Sequence, residues 1–245
     1  MKHPPAFATE ADLCASFLAW SKRFAGWTAY AETAGWDILM AHADGTQIGI
    51  QAKLRLNIKV IAQAIEEKWA ISSPGPDFRA VLVPGNDGYS SICAALGLTV
   101  ITADNYWGAK VDTFSPDLGS HSWQEWFYAN PKKRHELPEY IPDVVAGSPA
   151  PMQLTRWKIG ALKIAALIEL RGHVTRTDFQ EVGIDHRRWV QAWLEAVPGS
   201  PGAWRFLPEG GGDFRAQHPT VYPQVLADVR KALAARGDLV EQAQV

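Results

Sequence analysis

The sequence predicts an α/β protein: a central mixed sheet with helices on both faces, followed by a smaller and mostly helical unit. Three observations predict it. Helix-period and strand-period apolar patterns follow one another as α-β-β-β-α-β-α-β between Thr9 and Ala103. The proline-rich stretch from Pro138 to Pro151 then interrupts both periods. Beyond it the spacing is helical again, and residues 145–208 carry a formal charge of +3 in a chain whose net charge is −2.

Residues 9–24 read as a helix. Asp12 stands three residues after Thr9, as in a capping box, and Leu13, Phe17, Trp20 and Phe24 form an inward stripe. Residues 27–32 have strand composition, and 36–41 with 46–54 make a hairpin around Asp44-Gly45. Residues 58–71 form a helix capped by Asn57, with Ile58, Ile61, Ala62, Ile65 and Trp69 on one face. A strand at 78–84, a short helix at 89–96 ended by Gly97, and a strand at 98–103 complete the series. Residues 105–150 are irregular and rich in Trp, Pro and acidic residues; the pattern leaves open whether they extend the first domain, cover it or meet a substrate. The expected boundaries are 1–138 for the first domain (core 9–104), 139–151 for a linker and 152–245 for the second domain.

In the second domain, residues 154–171 are a strongly apolar helix closed by Gly172. A short helix at 177–182 and a turn at Gly183 lead to a third helix at 185–197, with Trp189, Val190, Trp193 and Val197 inward. Residues 198–208, containing Ala203-Trp204-Arg205-Phe206, suit a small β-wing. This is the outline of a winged helix-turn-helix, with a last helix at 223–235. Arg187, Arg188 and Gln191 project from the presumed recognition helix, and Arg176 and Arg205 flank it; Arg side chains read guanine edges and grip phosphate.

Composition excludes several classes. With 47% hydrophobic and 20% charged residues the chain is an ordinary globular one. No apolar run reaches the roughly 18 residues of a membrane span. The start, Met1-Lys2-His3-Pro4-Pro5, lacks the core of a signal peptide, so a cytoplasmic location is expected. Cys14 and Cys93 lie in separate apolar segments and read as core thiols. The Lys132-Lys133-Arg134 run reads as a solvated charge cluster.

The hairpin carries the chemistry, because its register can be tested from pattern alone. A two-residue turn would mix polar and apolar residues on each face. A three-residue loop, Ala43-Asp44-Gly45 with Gly45 left-handed, instead pairs Asp37 with Gln51. One face then holds Trp36, Ile38, Met40, Ile48, Ile50 and Ala52; the other holds Asp37, Leu39, Ala41, Gln47, Gly49, Gln51 and Lys53. A carboxylate, an amide oxygen and an ammonium group thus converge on strands expected to be central. Burying them is costly unless they hold a metal or phosphate. A divalent cation can neutralise a scissile phosphate and activate water, and hard oxygen ligands suit Mg²⁺. On spacing alone, a structural Asp37–Lys53 salt bridge explains the pattern equally well.

The residues Glu10-Ala11-Asp12-Leu13, Glu32-Thr33-Ala34-Gly35-Trp36-Asp37, Gln51-Ala52-Lys53 and Asn57 to Gln63 resemble the PD-(D/E)XK nuclease superfamily. In particular they resemble a bacterial group of PD-(D/E)XK-like phosphodiesterases, over roughly residues 9–104. The resemblance implies a restriction-endonuclease-like mixed sheet flanked by helices, with Mg²⁺ as cofactor and Mn²⁺ able to substitute. It implies Asp37 as the principal metal ligand, Lys53 as the catalytic lysine, Glu10 in place of the family's first acidic residue, and Glu32 and Gln63 at accessory positions, Glu32 as a further metal ligand. Gln51 replaces the family's second carboxylate; its amide oxygen can ligate Mg²⁺ but brings no charge. Some active members of the superfamily share Gln-x-Lys. The expected function is therefore a metal-dependent endonuclease acting on DNA, aided by a DNA-binding winged helix (Arg187, Arg188, Gln191 and Arg205), with no membrane partner and a homodimer as a further arrangement. The competing expectations are a catalytically weak nuclease fold that binds DNA, and an interaction protein that recruits a partner through its winged helix.

Overall fold

The computed structural model describes residues 7–65, 73–85, 88–103, 113–118, 125–147, 154–208 and 214–238. The chain divides into two compact units, Met1–Met152 and Gln153–Val245.

The first unit is built on a six-stranded mixed sheet whose strands follow chain order: β1 (Trp27–Thr33), β2 (Trp36–His42), β3 (Gln47–Ala52), β4 (Phe78–Val83), β5 (Thr99–Ala103) and β6 (Phe114–Ser115). β1, β2 and β3 form an antiparallel meander; β3, β4 and β5 run parallel. Parallel neighbours need a crossover between them. Helices α2 (Ile58–Ile65) and α3 (Ser90–Ala95) lie within the two connecting segments.

Helices cover both faces of the sheet. On one, Leu13, Cys14, Phe17 and Trp20 of α1 (Glu10–Ser21) pack on Ile38, Met40, Ile48, Ile50, Ala80, Leu82 and Ile101. On the other, Val60, Ile61 and Ala64 of α2, with Cys93 and Leu98, pack on Leu39, Val81 and Val83. Covering both faces explains why β3 is buried along its whole length. Thr9 and Asp12 form the capping box of α1, as their spacing predicts. The inward face of α2 differs from expectation. Ile58 is 70% exposed and Ala62 is exposed, while Val60 and Ala64 are buried, because this helix is apolar on two sides and the sheet selects the Val60–Ala64 side. The expected Trp69 contact lies outside the described residues.

The hairpin adopts the three-residue loop. His42 N–H donates to Thr46 O at 2.8 Å, Gly45 has φ +90°, and Ile38 pairs with Ile50, Leu39 with Gly49 and Met40 with Ile48. Left-handed backbone at that loop position is open to glycine at little cost. Trp36 departs from the expected face. Its ring is buried with Leu39, over Gly49, where a Cβ would overlap it. The missing side chain at Gly49 makes the space, and Trp36 Nε1 donates to His135 Nε2 at 3.3 Å.

The irregular region extends this unit. Arg134, expected in a solvated run, makes a two-point ion pair with Asp77, whose side chain is 2% exposed and also accepts from Gln47 N. Gln47 and His135 exchange side-chain to backbone hydrogen bonds at 2.8 and 3.0 Å. Residues 139–147, expected as linker, pack on the first unit instead: Tyr140 and Ala146 are each 2% exposed, and Val144 joins the α1-side core.

In the second unit, α4 (Arg156–Arg171), α5 (Arg176–Glu181), α6 (His186–Ala192) and α8 (Val221–Arg236) accompany a three-stranded antiparallel sheet ordered β7 (Val174–Thr175), β9 (Ala203–Phe206), β8 (Leu194–Ala196). A single turn, α7 (Phe214–Gln217), precedes α8. The third helix is shorter than expected: α6 ends at Ala192 because Leu194–Ala196 pairs with β9. Trp189 is fully buried among Phe179, Ile184 and Leu194. Asp178 closes the α5 capping box and meets Arg171. Burial alone would raise its carboxyl, but the Thr175 N–H, Arg171 and the Thr175 hydroxyl outweigh that and hold it below the ordinary range.

Candidate active site

Three of the expected residues lie at one end of adjacent strands. Ala31 pairs with Ile38 and Thr33 with Trp36, with Glu32 and Asp37 between those pairs and not themselves paired; the β2–β3 pairing ends at Ile38–Ile50, one residue short of Asp37 and Gln51. Asp37 Oδ2 accepts from Ala52 N at 2.7 Å. Burial pushes the Asp37 carboxyl above its ordinary value, and Glu10 pushes the same way; the Ala52 N–H and Lys53 oppose them without cancelling the shift. Gln51 is 8% exposed and donates through Nε2 to Gly35 O at 2.7 Å. A carbonyl can be met only by the NH₂ end, so the amide is oriented with Oε1 left as its acceptor.

Lys53 lies one residue past β3, where strand alternation no longer directs the side chain. It reaches Glu10 in the first turn of α1, with Nζ to Oε2 at 2.6 Å and both side chains about 30% exposed. The ion pair of Lys53 is thus with Glu10 and not with Asp37. Asp37, Glu10 and Lys53 nevertheless lie within electrostatic range of one another. They also surround Cys14: burial first, then Asp37, Glu32 and Glu10, push its thiol up to about 12, against a smaller opposing effect of Lys53. A thiol so placed is inert.

Glu32 is engaged from an unexpected direction. It has φ +47°, and its Oε1 accepts from Gly147 N at 2.8 Å. Gly147 itself sits against the backbone of Glu10 and the sulfur of Cys14, where a Cβ would come within 3.1–3.2 Å. The segment ending at Gly147 is the part of the site that pattern reasoning missed. Its only signal was the short apolar run Val144-Val145-Ala146 among prolines.

Gln63, expected at an accessory position, lines a pocket of about 300 Å³ together with Asp37, Gln51, Trp36, Ala64 and the Ala34-Gly35 turn. The pocket thus joins the β2–β3 hairpin to α2. The carboxylate and amide oxygens that Asp37 and Gln51 carry are of the kind that suits a hard cation. Among the described residues, no three of His, Cys, Asp and Glu gather to hold a metal ion. Mg²⁺ commonly binds through one or two carboxylates and keeps several waters, so Asp37 with Gln51 fits such an ion as a sparse site.

In the second unit Arg187, Arg188, Gln191 and Arg176 are exposed, and Arg187 and Arg188 make no side-chain ion pair among the described residues. Arg205, expected to touch DNA, pairs with Glu195 across the β8–β9 hairpin at 2.8 Å.

Comparison with family models, with curated proteins and with solved structures gave no match. Among the described residues no helix is long and apolar enough to cross a membrane.

Proposed function

We propose that this chain is a metal-dependent phosphodiesterase of the PD-(D/E)XK type that cleaves DNA, its second unit being a winged helix that helps hold the nucleic acid. The observation that carries the reading is that Asp37 and Gln51 line one pocket, with the Glu10–Lys53 pair within electrostatic range of Asp37. A half-buried carboxylate whose proton affinity is raised by burial gains most from a cation. Asp37 and Gln51 would hold Mg²⁺, or Mn²⁺ in its place, and the bound ion supplies charge neutralisation at phosphate and an activated water. Lys53 supplies a positive charge toward the developing phosphorane, with Glu10 holding it in place. Arg187, Arg188 and Gln191 on α6 offer contacts to DNA.

The test is cleavage of circular and linear DNA in Mg²⁺ or Mn²⁺. Asp37→Ala should abolish cleavage, and Lys53→Ala should slow it by about 10²–10³-fold. Full activity in Asp37→Ala would overturn the reading. A second reading, a nuclease fold that binds DNA and cuts it poorly, is favoured by the neutral Gln51 and by the capture of Lys53 by Glu10. Salt-sensitive DNA binding without cleavage supports it.

A further inference from the structure

The pocket beside Asp37 has a composition that the phosphodiesterase reading does not use. Among the described residues lining it there is one carboxylate, Asp37, and no Lys, Arg or His. Lys53 pairs with Glu10 and is not among the lining residues. A phosphate entering this space would meet like charge, so only the part of it held by a cation at Asp37 belongs there. The remaining volume is larger than a phosphate group fills and lies at the lower end of the range for small organic ligands. Its other polar groups are neutral. Gln51 Oε1 belongs to the cation in the reading above, which leaves Gln63 as the amide that faces a further ligand. Gln63 is exposed on α2 and makes no side-chain hydrogen bond to another described residue; its amide carries one acceptor group and two donors. Paired amide donor and acceptor groups match the hydrogen-bonding edge of a nucleobase. Apolar contact comes from Trp36 and Ala64.

We infer that this pocket receives an unpaired nucleobase adjacent to the scissile phosphate, with Gln63 as the residue that recognises its edge. This rests on the phosphodiesterase reading and narrows its substrate class. A base that must leave its stack to enter the pocket costs least where it is already unpaired. The preferred substrate is therefore a single strand, a flap or a gap rather than a continuous duplex. Gln63 acts on binding and selectivity, while Asp37 acts on the bond.

The test uses the full chain and three probes of equal length. These are a single-stranded oligonucleotide, its continuous duplex, and a base-free sugar-phosphate strand of the same charge. Fluorescence anisotropy in Ca²⁺ measures binding, and cleavage in Mn²⁺ measures selectivity. The single strand should bind about tenfold more tightly than either other probe. Gln63→Leu, which keeps shape on an exposed helical position, should bring the single strand to near parity with the base-free strand. Cleavage of that strand should fall in the same variant by a larger factor than duplex nicking does. Equal binding of the single strand and the base-free strand, or indifference to Gln63→Leu, overturns the inference. If cleavage still requires Asp37 in that case, the phosphodiesterase reading survives it. If no probe is cut but the base-dependent binding remains and is lost in Gln63→Leu, the pocket stands as a base-binding site and the catalytic reading falls.

Discussion

Asp37 keeps one oxygen on the Ala52 N–H while burial raises its proton affinity. Its folded-state pKa stands above the unfolded value of about 3.9. Proton binding therefore favours the fold, and the stability this group contributes is fully present in acid and lost as pH rises through the folded value. Asp37→Asn, which can still accept from Ala52, should raise Tm at pH 8 in a chelator, with the gain vanishing below about pH 4. Scanning calorimetry of both proteins checks this, and a gain of equal size at pH 3.5 would refute the burial cause. Addition of Mg²⁺ should raise the Tm of the parent only, since Asn brings no charge to the ion. Gln51 gives a contrasting case. Gln51→Glu removes the donor that meets Gly35 O and sets a carboxylate oxygen against that carbonyl. It should lower Tm in chelator by an amount near the cost of a lost buried hydrogen bond, about 1–3 kcal/mol. Mn²⁺ should restore more stability to this variant than to the parent, because the new charge binds it. Thermal melts with and without Mn²⁺ read both effects.

The β2–β3 hairpin joins local rules to distant ones. Its register was legible because the Ala43-Asp44-Gly45 loop and the alternation on both strands point to one pairing. The place of Trp36 was not, since it depends on the absent side chain of Gly49 thirteen residues on and on His135 from an irregular segment. Gly49→Ala should push the ring from its seat and cost about 1–3 kcal/mol or more by overpacking. Chemical denaturation with unchanged m-value checks it, and a neutral substitution would show that the ring moves freely. The same contrast holds elsewhere. The start of α1 was readable from Thr9 and Asp12. The inward side of α2 was ambiguous because six of its eight residues are apolar. The end of α6 was misjudged because pairing of Leu194–Ala196 with β9, a non-local event, overrides the helical pattern.

At the level of the whole chain, the boundary between units is set by packing and not by proline content. Residues 139–147 belong to the first unit through Tyr140, Ala146 and Gly147, although Pro138 and Pro142 made them look like spacer. Residues 1–152 should unfold cooperatively as an isolated fragment, while 1–138 should be markedly less stable, having lost the cover on α1 and the Gly147 bond to Glu32. Circular dichroism melts of the two fragments decide it; equal Tm values would return 139–147 to the role of a linker. Asp37 and Gln51 could be brought together from the sequence because both belong to one hairpin, and they line one pocket. Glu10 with Lys53, and Glu32 with Gly147, could not be paired because 43 and 115 residues separate them.

Those separations also impose an order in time. The meander from β1 to β3 closes through two tight turns, so Glu32, Asp37 and Gln51 all come from 20 residues of adjacent chain. Short loops close fast and at small entropic cost, whereas parallel pairing of β3 with β4 waits for a crossover. The meander should therefore close early, while Glu32 still lacks Gly147 and β4 does not yet flank β3. During synthesis from the N-terminus, all three of its strands emerge before residue 147 has been made.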